Sequence, residues 1–197
     1  MFSQSAAKRI AEWLVQGGAI AAEEREVHEY GLEKLLSTAA NVAIVICLGI
    51  LFGIAAEAAV FYFAYFALRG YVGGYHADTP MRCFFISIGV VIPCLVAIRF
   101  QQMWNMPVVF YSLLGVGVFV LTLLGPTGSK NKMPDALEKV VYRRRLLRNL
   151  AIVTAGAITI NLSSLYGYAS AVLCGILLSM VMGIAGRIKL RMQNIKH

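Results

Sequence analysis

Between Leu35 and Ala56 the chain runs for 22 residues without a charged side chain. A helix of that length rises about 33 Å, enough to cross the ~30 Å hydrocarbon core of a bilayer. Further apolar stretches follow at residues 84–98, 106–124, 150–162 and 168–185. The chain is 59% apolar and only 14% charged, where a soluble domain is nearer half and a quarter. These features predict an all-α, polytopic membrane helical bundle of about six transmembrane segments. One domain fills residues 1–197: a polar N-terminal part at 1–34, the bundle at 35–186 and a basic tail at 187–197.

Residues 4–17 read as a short amphipathic helix, with Ile10, Trp13, Leu14 and Gly17 at helical spacing. A Trp on such a helix suits the lipid interface, and a surface helix packed on the bundle is the other reading. Gly17-Gly18 ends it. Residues 23–34 are the most charged stretch and are expected to form a solvated helix that leads into the first span. His28 sits there among carboxylates and is given no catalytic task. Glu57 is taken to mark a tight turn. The next apolar stretch, Ala58 to Leu68, is too short to cross alone. It must continue through Gly70-Tyr71-Val72, thin the bilayer, or lie inside the bundle. Gly125 to Asn149 reads as a basic loop, and Asn161 to Gly167 as a tight turn between the last two spans.

The net charge is +8, and it is unevenly placed. Lys130, Lys132, Lys139, Arg143, Arg144, Arg145 and Arg148 fall in one connection; Arg187, Lys189, Arg191 and Lys196 fall at the C-terminus. Basic clusters that flank spans mark cytoplasmic segments beside anionic lipid, and they give no reason to expect nucleic acid as a partner. With six spans, both termini and the polar stretch 69–83 lie on the cytoplasmic side. The first residues lack a long apolar core and a small-residue cleavage site, so no cleavable signal peptide is expected. The four Cys, at 47, 83, 94 and 174, form no CxxC pair. Neither a disulfide framework nor a zinc site is expected.

The one stretch that gathers chemical groups is Arg69-Gly-Tyr-Val-Gly73-Gly74-Tyr-His76-Ala-Asp78-Thr79-Pro80-Met-Arg82-Cys83. A thiol attacks a carbonyl as thiolate, so a catalytic Cys needs a base or a lowered pKa. His76 is the natural base. On one continuous helix the two residues would be separated by about 10.5 Å of rise, too far for a hydrogen bond, so the stretch is not expected to be one helix. Thr79 suits an N-cap and Pro80 the first helical position, which puts Cys83 in the first turn of the third span. There the helix dipole favours thiolate. Gly73-Gly74 lets the loop carrying His76 fold back. Asp78 either orients the imidazole or serves a local turn. Arg69 and Arg82 either steady a substrate carboxylate or sit at lipid headgroups. Backbone N–H groups at the helix start can serve as an oxyanion hole.

The run Arg69-x-x-x-Gly73-Gly74-x-His76-Ala77, with Cys83 seven residues on, resembles the accessory gene regulator protein B (AgrB) family of bacterial quorum-sensing peptidases. The likeness extends to chain length, to the amphipathic N-terminus and to the Gly125-Pro126…Asn131-Lys132-x-Pro134 segment before the basic run. What it implies is a bacterial cell-membrane cysteine endopeptidase with His76 as general base and Cys83 as nucleophile; Arg69 and Gly74 match the family's motif Arg and second Gly. The implied substrate is a small propeptide with an amphipathic leader and an acidic C-terminal tail. Cys83 would take the upstream part as a thioester, and a Cys or Ser of the propeptide would close a ring on it. No cofactor and no metal are called for. The partners are the propeptide and the lipid bilayer, and a homodimer is compatible with this reading.

Two other functions compete. A small transporter or channel would use His76 and Arg69 to line a polar pathway, and it predicts that Cys83→Ala keeps function. A non-catalytic scaffold predicts that neither His76 nor Cys83 matters. The sequence has no HExxH and only three His, which argues against a metalloprotease.

Overall fold

The helices break where glycine, proline or a left-handed residue lets them. The computed structural model describes residues 2–72, 80–103, 106–125 and 136–194. In chain order the helices are α1 (Phe2–Gln16), α2 (Arg25–Leu51), α3 (Ala55–Val72), α4 (Pro80–Arg99), α5 (Pro107–Leu124), α6 (Ala136–Leu162) and α7 (Tyr166–Asn194). Short 3-10 turns lie at Ala22–Glu24 and Gln101–Met103, and the described residues contain no strand. The all-helical bundle expected from the sequence is therefore the observed architecture.

Three helix ends are closed by one hydrogen-bond pattern. After α1, Ala19 N–H reaches back to the Leu14 carbonyl at 2.9 Å; after α2, Ile54 N–H reaches Gly49 at 2.8 Å; after α6, Leu165 N–H reaches Ile160 at 3.3 Å. Each needs a left-handed residue at its centre. Gly18 (φ 69°), Gly53 (φ 68°) and Ser164 (φ 61°) supply it. The first turn of the bundle is thus centred on Gly53, not on Glu57. Glu57 sits in the first turn of α3, where a carboxylate is favoured by the helix dipole.

Of the alternatives for Ala58 to Leu68, the structure takes the first: α3 continues through Gly70-Tyr71-Val72 and has 18 residues, or about 27 Å of rise. Two further boundaries differ from the sequence reading. The basic run is not a loop throughout. From Ala136 it is helical, because Leu, Glu, Lys and Arg are good helix formers and no Gly or Pro intervenes before Asn149. At the C-terminus α7 carries Arg187, Lys189 and Arg191 on a continuous helix to Asn194.

α7 is the central post, and α3, α4, α5 and α6 all pack against it. Glycines set the closest approaches. A Cβ at Gly175 would meet the Ala64 side chain at 2.9 Å and the α3 backbone, Phe61 O and Tyr65 N, at 3.0 Å. Gly183 faces Val72 and Leu124, and Gly117 of α5 faces Ile176. In lipid, apolar side chains gain little by leaving the solvent, so close backbone packing at small residues is what holds helices together. These contacts also fix direction: 64 with 175 and 72 with 183, 117 with 176 and 124 with 183. Hence α3, α5 and α7 run parallel. α6 runs against them, since the Tyr142 ring lies tilted beside that of Tyr71 (centroids 6.4 Å apart) while Tyr111 OH donates to Asn161 Oδ1 at 3.3 Å.

One end of the bundle therefore collects the start of α6 with Lys139 to Arg148, the end of α7 with Arg187 to Arg191, and the end of α3 with Arg69. The outer surface between the ends is apolar: Phe63 is 74% exposed and Leu123 66%. Exposed apolar surface on this scale marks contact with lipid or protein. Three described helices are long and apolar enough to cross a membrane, Ala22–Leu51, Pro107–Leu124 and Tyr166–Met192, and Phe85–Arg99 is a shorter apolar stretch. α1 lies on α2 through buried Ala7 and Ala11, with Trp13 turned outward at 71% exposure. Glu12 of α1 pairs with Arg25 at the start of α2 at 3.9 Å.

Candidate active site

Helix α4 opens at Pro80, the position that proline's fixed φ and missing N–H favour. Arg82 and Cys83 fall in its first turn. Gly73, Gly74, His76, Asp78 and Thr79 lie outside the described residues. The chain enters this stretch from Val72, at the end of α3, and leaves it at Pro80. Pro93 lies inside α4, where it cannot donate to the Gly89 carbonyl, and the helix continues through it to Arg99.

Beside this junction lies a cavity of about 390 Å³, walled by α2, α3, α4 and α7. α2 contributes Lys34, Ser37, Thr38 and Asn41, then Ile44 and Val45 toward its far end. The spacings of three and four put these residues on one helix face. They are the polar residues of an otherwise apolar stretch, and all of them line the cavity. Thr38 Oγ1 donates to the Lys34 carbonyl at 2.9 Å and Asn41 Nδ2 to the Ser37 carbonyl at 3.0 Å. The Thr38 hydroxyl proton and one of the two Asn41 amide protons are thereby held on their own helix, and both side-chain oxygens can still accept.

α3 contributes Tyr62, Tyr65, Phe66 and Arg69, again one face by spacing. Tyr62 stacks with Phe66 at 6.3 Å between centroids and meets Tyr65 edge-on at 6.3 Å. The Arg69 guanidinium lies 5.9 Å from the Tyr65 ring centroid, a cation–π contact. α4 adds Ser87, Ile88 and Val91, and α7 adds Leu178 and Met182. Because α2 and α3 form a hairpin closed at Gly49 and Ala58, Lys34 and Arg69 share the end of the cavity nearest the 69–83 stretch. Ile44, Val45, Tyr62 and Val91 lie at the other end, where Val45 and Val91 are buried. Ser87 stands one turn after Cys83 on α4, about 6 Å along the helix axis.

Of the residues singled out from the sequence, Arg69 is thus a cavity wall residue, and Cys83 occupies the helix turn above that wall. His28 is exposed and its Nδ1 donates to the Glu24 carbonyl, four residues back, at 3.0 Å; it takes no part in the cavity. The α2 stripe was missed, although its signal is present in the sequence: Lys34, Ser37, Thr38 and Asn41 repeat at helical spacing at the start of an uncharged span, and polar residues in a span mark functional faces. A separate cleft of about 270 Å³ lies on α6 between Val140, Val141, Arg144, Arg145 and Arg148. Asn149, next along that helix, donates from Nδ2 to the Ala67 carbonyl at 3.0 Å and ties α6 to the last turns of α3.

Comparison with known proteins gives a consistent result. The family model described as accessory gene regulator B (AgrB) matches residues 7–185. An AgrB-like protein of Clostridium perfringens strain SM101 is 27% identical over 173 residues, covering 83% of this chain and 78% of that protein. AgrB-like protein 2 of Clostridium perfringens strain 13 is 31% identical over 130 residues, covering 62% of this chain and 59% of its own length. No solved structure matches the chain.

Proposed function

The chain belongs to the accessory gene regulator B family of quorum-sensing membrane proteins, and on that premise we propose that it is a cysteine endopeptidase that processes a small signalling propeptide. The observation that carries this reading is the position of Cys83. It stands in the first turn of α4, one turn from the wall of a cavity that also bears Arg69. A thiol at a helix N-terminus is favoured as thiolate by the dipole, and open backbone N–H groups there suit an oxyanion.

The steps follow from these groups. His76 takes the proton of the Cys83 thiol. The thiolate adds to the carbonyl carbon of the scissile bond, and the oxyanion is met by N–H donors. The C–N bond breaks, His76 returns the proton to the leaving amine, and the C-terminal tail departs. The upstream part remains on Cys83 as a thioester. A thiol or hydroxyl of the same peptide then adds to the thioester carbonyl, expels the Cys83 thiolate and closes a thiolactone or lactone. Exchange between thioesters is nearly isoenergetic, so water must be kept out for the ring to form. A site at the end of a membrane bundle serves that need. The basic end of the bundle faces the cytoplasm, as basic flanks do. There it meets both anionic lipid and the acidic tail of the substrate.

The test is mass spectrometry on a propeptide encoded beside the gene, co-expressed with wild type, His76→Ala or Cys83→Ala. Both variants are expected to lose tail removal by at least about a hundredfold. A wild-type product lighter than the linear peptide by one water establishes cyclisation. Undiminished processing by Cys83→Ala overturns Cys83 as the nucleophile, and a propeptide left intact by wild type and variants alike overturns the peptidase reading and favours a transport role.

A further inference from the structure

The thioester step leaves open what the neighbouring cavity is for. We infer that it is the acyl-side specificity pocket. It receives the side chain of the residue whose carbonyl becomes bonded to Cys83, and it is built for a bulky apolar or aromatic side chain. The inference rests on the thioester reading above.

Four observations converge on it. The first is position. Cys83 and Ser87 are one helical turn apart, about 6 Å in rise, and Ser87 is a wall residue. The spacing of four puts position 83 on the same helix face as that wall residue. The second is size. At about 390 Å³ the cavity is at the small end of ligand pockets, roughly 300–1,000 Å³, which suits one or two side chains and not a folded partner. The third is the chemistry along its length. The closed end is apolar, with Val45 at 3% and Val91 at 8% exposure, and one wall is the ring ladder Tyr62, Tyr65 and Phe66. Aromatic groups gain from edge and offset contacts with such rings, and a charged side chain would lose its hydration there. The fourth is the mouth. Lys34 and Arg69 line the near end and repel a Lys or Arg side chain. Thr38 and Asn41, each with a donor held by its own helix, offer oxygen acceptors for the N–H groups of an extended peptide.

The test uses full-length protein in liposomes and propeptides in which the residue before the cleaved bond is Trp, Phe, Leu, Ala or Lys; that residue is identified from the mass of the wild-type tail product. Initial rates of tail release give kcat/KM. Wild type is expected to favour Phe or Leu over Ala by at least about tenfold, the scale of a few buried methylenes, and to reject Lys further. Val91→Phe, which fills the closed end, is expected to reduce that preference to below about threefold while sparing the Ala substrate. Val91→Ala, which enlarges the pocket and is easier to fold, is expected to admit Trp better than wild type does. An unchanged profile in both variants, or an equal loss across the panel, overturns the inference, and so fits lipid as the cavity's occupant. A Cys83→Ala control separates the two claims. If it abolishes release while the pocket variants keep the wild-type profile, the pocket assignment alone fails. If it leaves release intact, the thioester reading fails and takes the pocket with it.

Discussion

Ser164 holds φ 61° at the end of α6, a conformation that costs a residue with a Cβ about 1–2 kcal/mol. Gly53 does the same task at φ 68° after α2 without that cost. The two positions therefore predict opposite effects. Ser164→Gly is expected to stabilise the protein by about 1 kcal/mol, and Gly53→Ala to destabilise it by a similar amount. In thermal unfolding of the detergent-solubilised protein this corresponds to shifts of about 2–4 °C up and down. Equal and opposite shifts support the hydrogen-bonded turn geometry; shifts of the same sign contradict it. A Cβ at Gly53 meets nothing within 4 Å, so the effect there is one of backbone conformation alone. Arg69 is a different kind of residue. Its guanidinium rests on the Tyr65 ring at the cavity mouth, and a planar cation stacks on a ring better than an ammonium does. Arg69→Lys is expected to raise KM for the propeptide at least about fivefold, the size of a partly desolvated cation–π contact, and a KM equal to wild type would count against that placement.

At the scale of the element, the pairing of α3 with α7 is decisive, because α3 forms one wall of the cavity and α7 backs it. Gly175→Leu would drive side-chain atoms into the α3 backbone at Phe61 and Tyr65. It is expected to cost about 1–3 kcal/mol or more as overpacking and to impair processing. Gly156→Ala on α6, where a Cβ meets nothing within 4 Å, is expected to be neutral or stabilising by up to about 1 kcal/mol. Unfolding midpoints of the two variants check this; equal behaviour contradicts the glycine-packed interface. The elements also show what a sequence makes visible. The end of α1 at Gly18 and the start of α4 at Pro80 were legible, because glycine and proline act through local backbone geometry. The turn at Gly53 was misread as lying at Glu57, because a charge in an apolar run looks like a boundary even where it is only a favourable first-turn carboxylate. The basic run reads as a loop because its charge resembles a solvated connection, yet its Leu, Glu, Lys and Arg are good helix formers and it is helical from Ala136. The polar face of α2 was overlooked, since its importance depends on which helix it meets, and that is set by packing far apart in sequence.

For the molecule as a whole, the parallel run of α3, α5 and α7 puts the basic half of α6, the end of α7 and the mouth of the cavity at one end. The Ser164 turn lies at the other. If the basic end faces the cytoplasm, a cysteine introduced at Ser164 in a background free of other reactive thiols is labelled by an impermeant maleimide in intact cells, and one at Arg144 only after the membrane is opened. The reverse pattern would invert the orientation and put the site outside. Cys83 joins the first turn of α4, the cavity one turn away and the proposed chemistry of ring closure. The most direct measurement is therefore the intact mass of the protein after a brief reaction with its propeptide, quenched in acid. The account predicts an added mass equal to the propeptide without its tail. The adduct should be on the peptide containing Cys83, be released by hydroxylamine as a thioester is, and be absent in Cys83→Ala. Tail release with no adduct on Cys83 at any time, or an adduct on another residue, would contradict it.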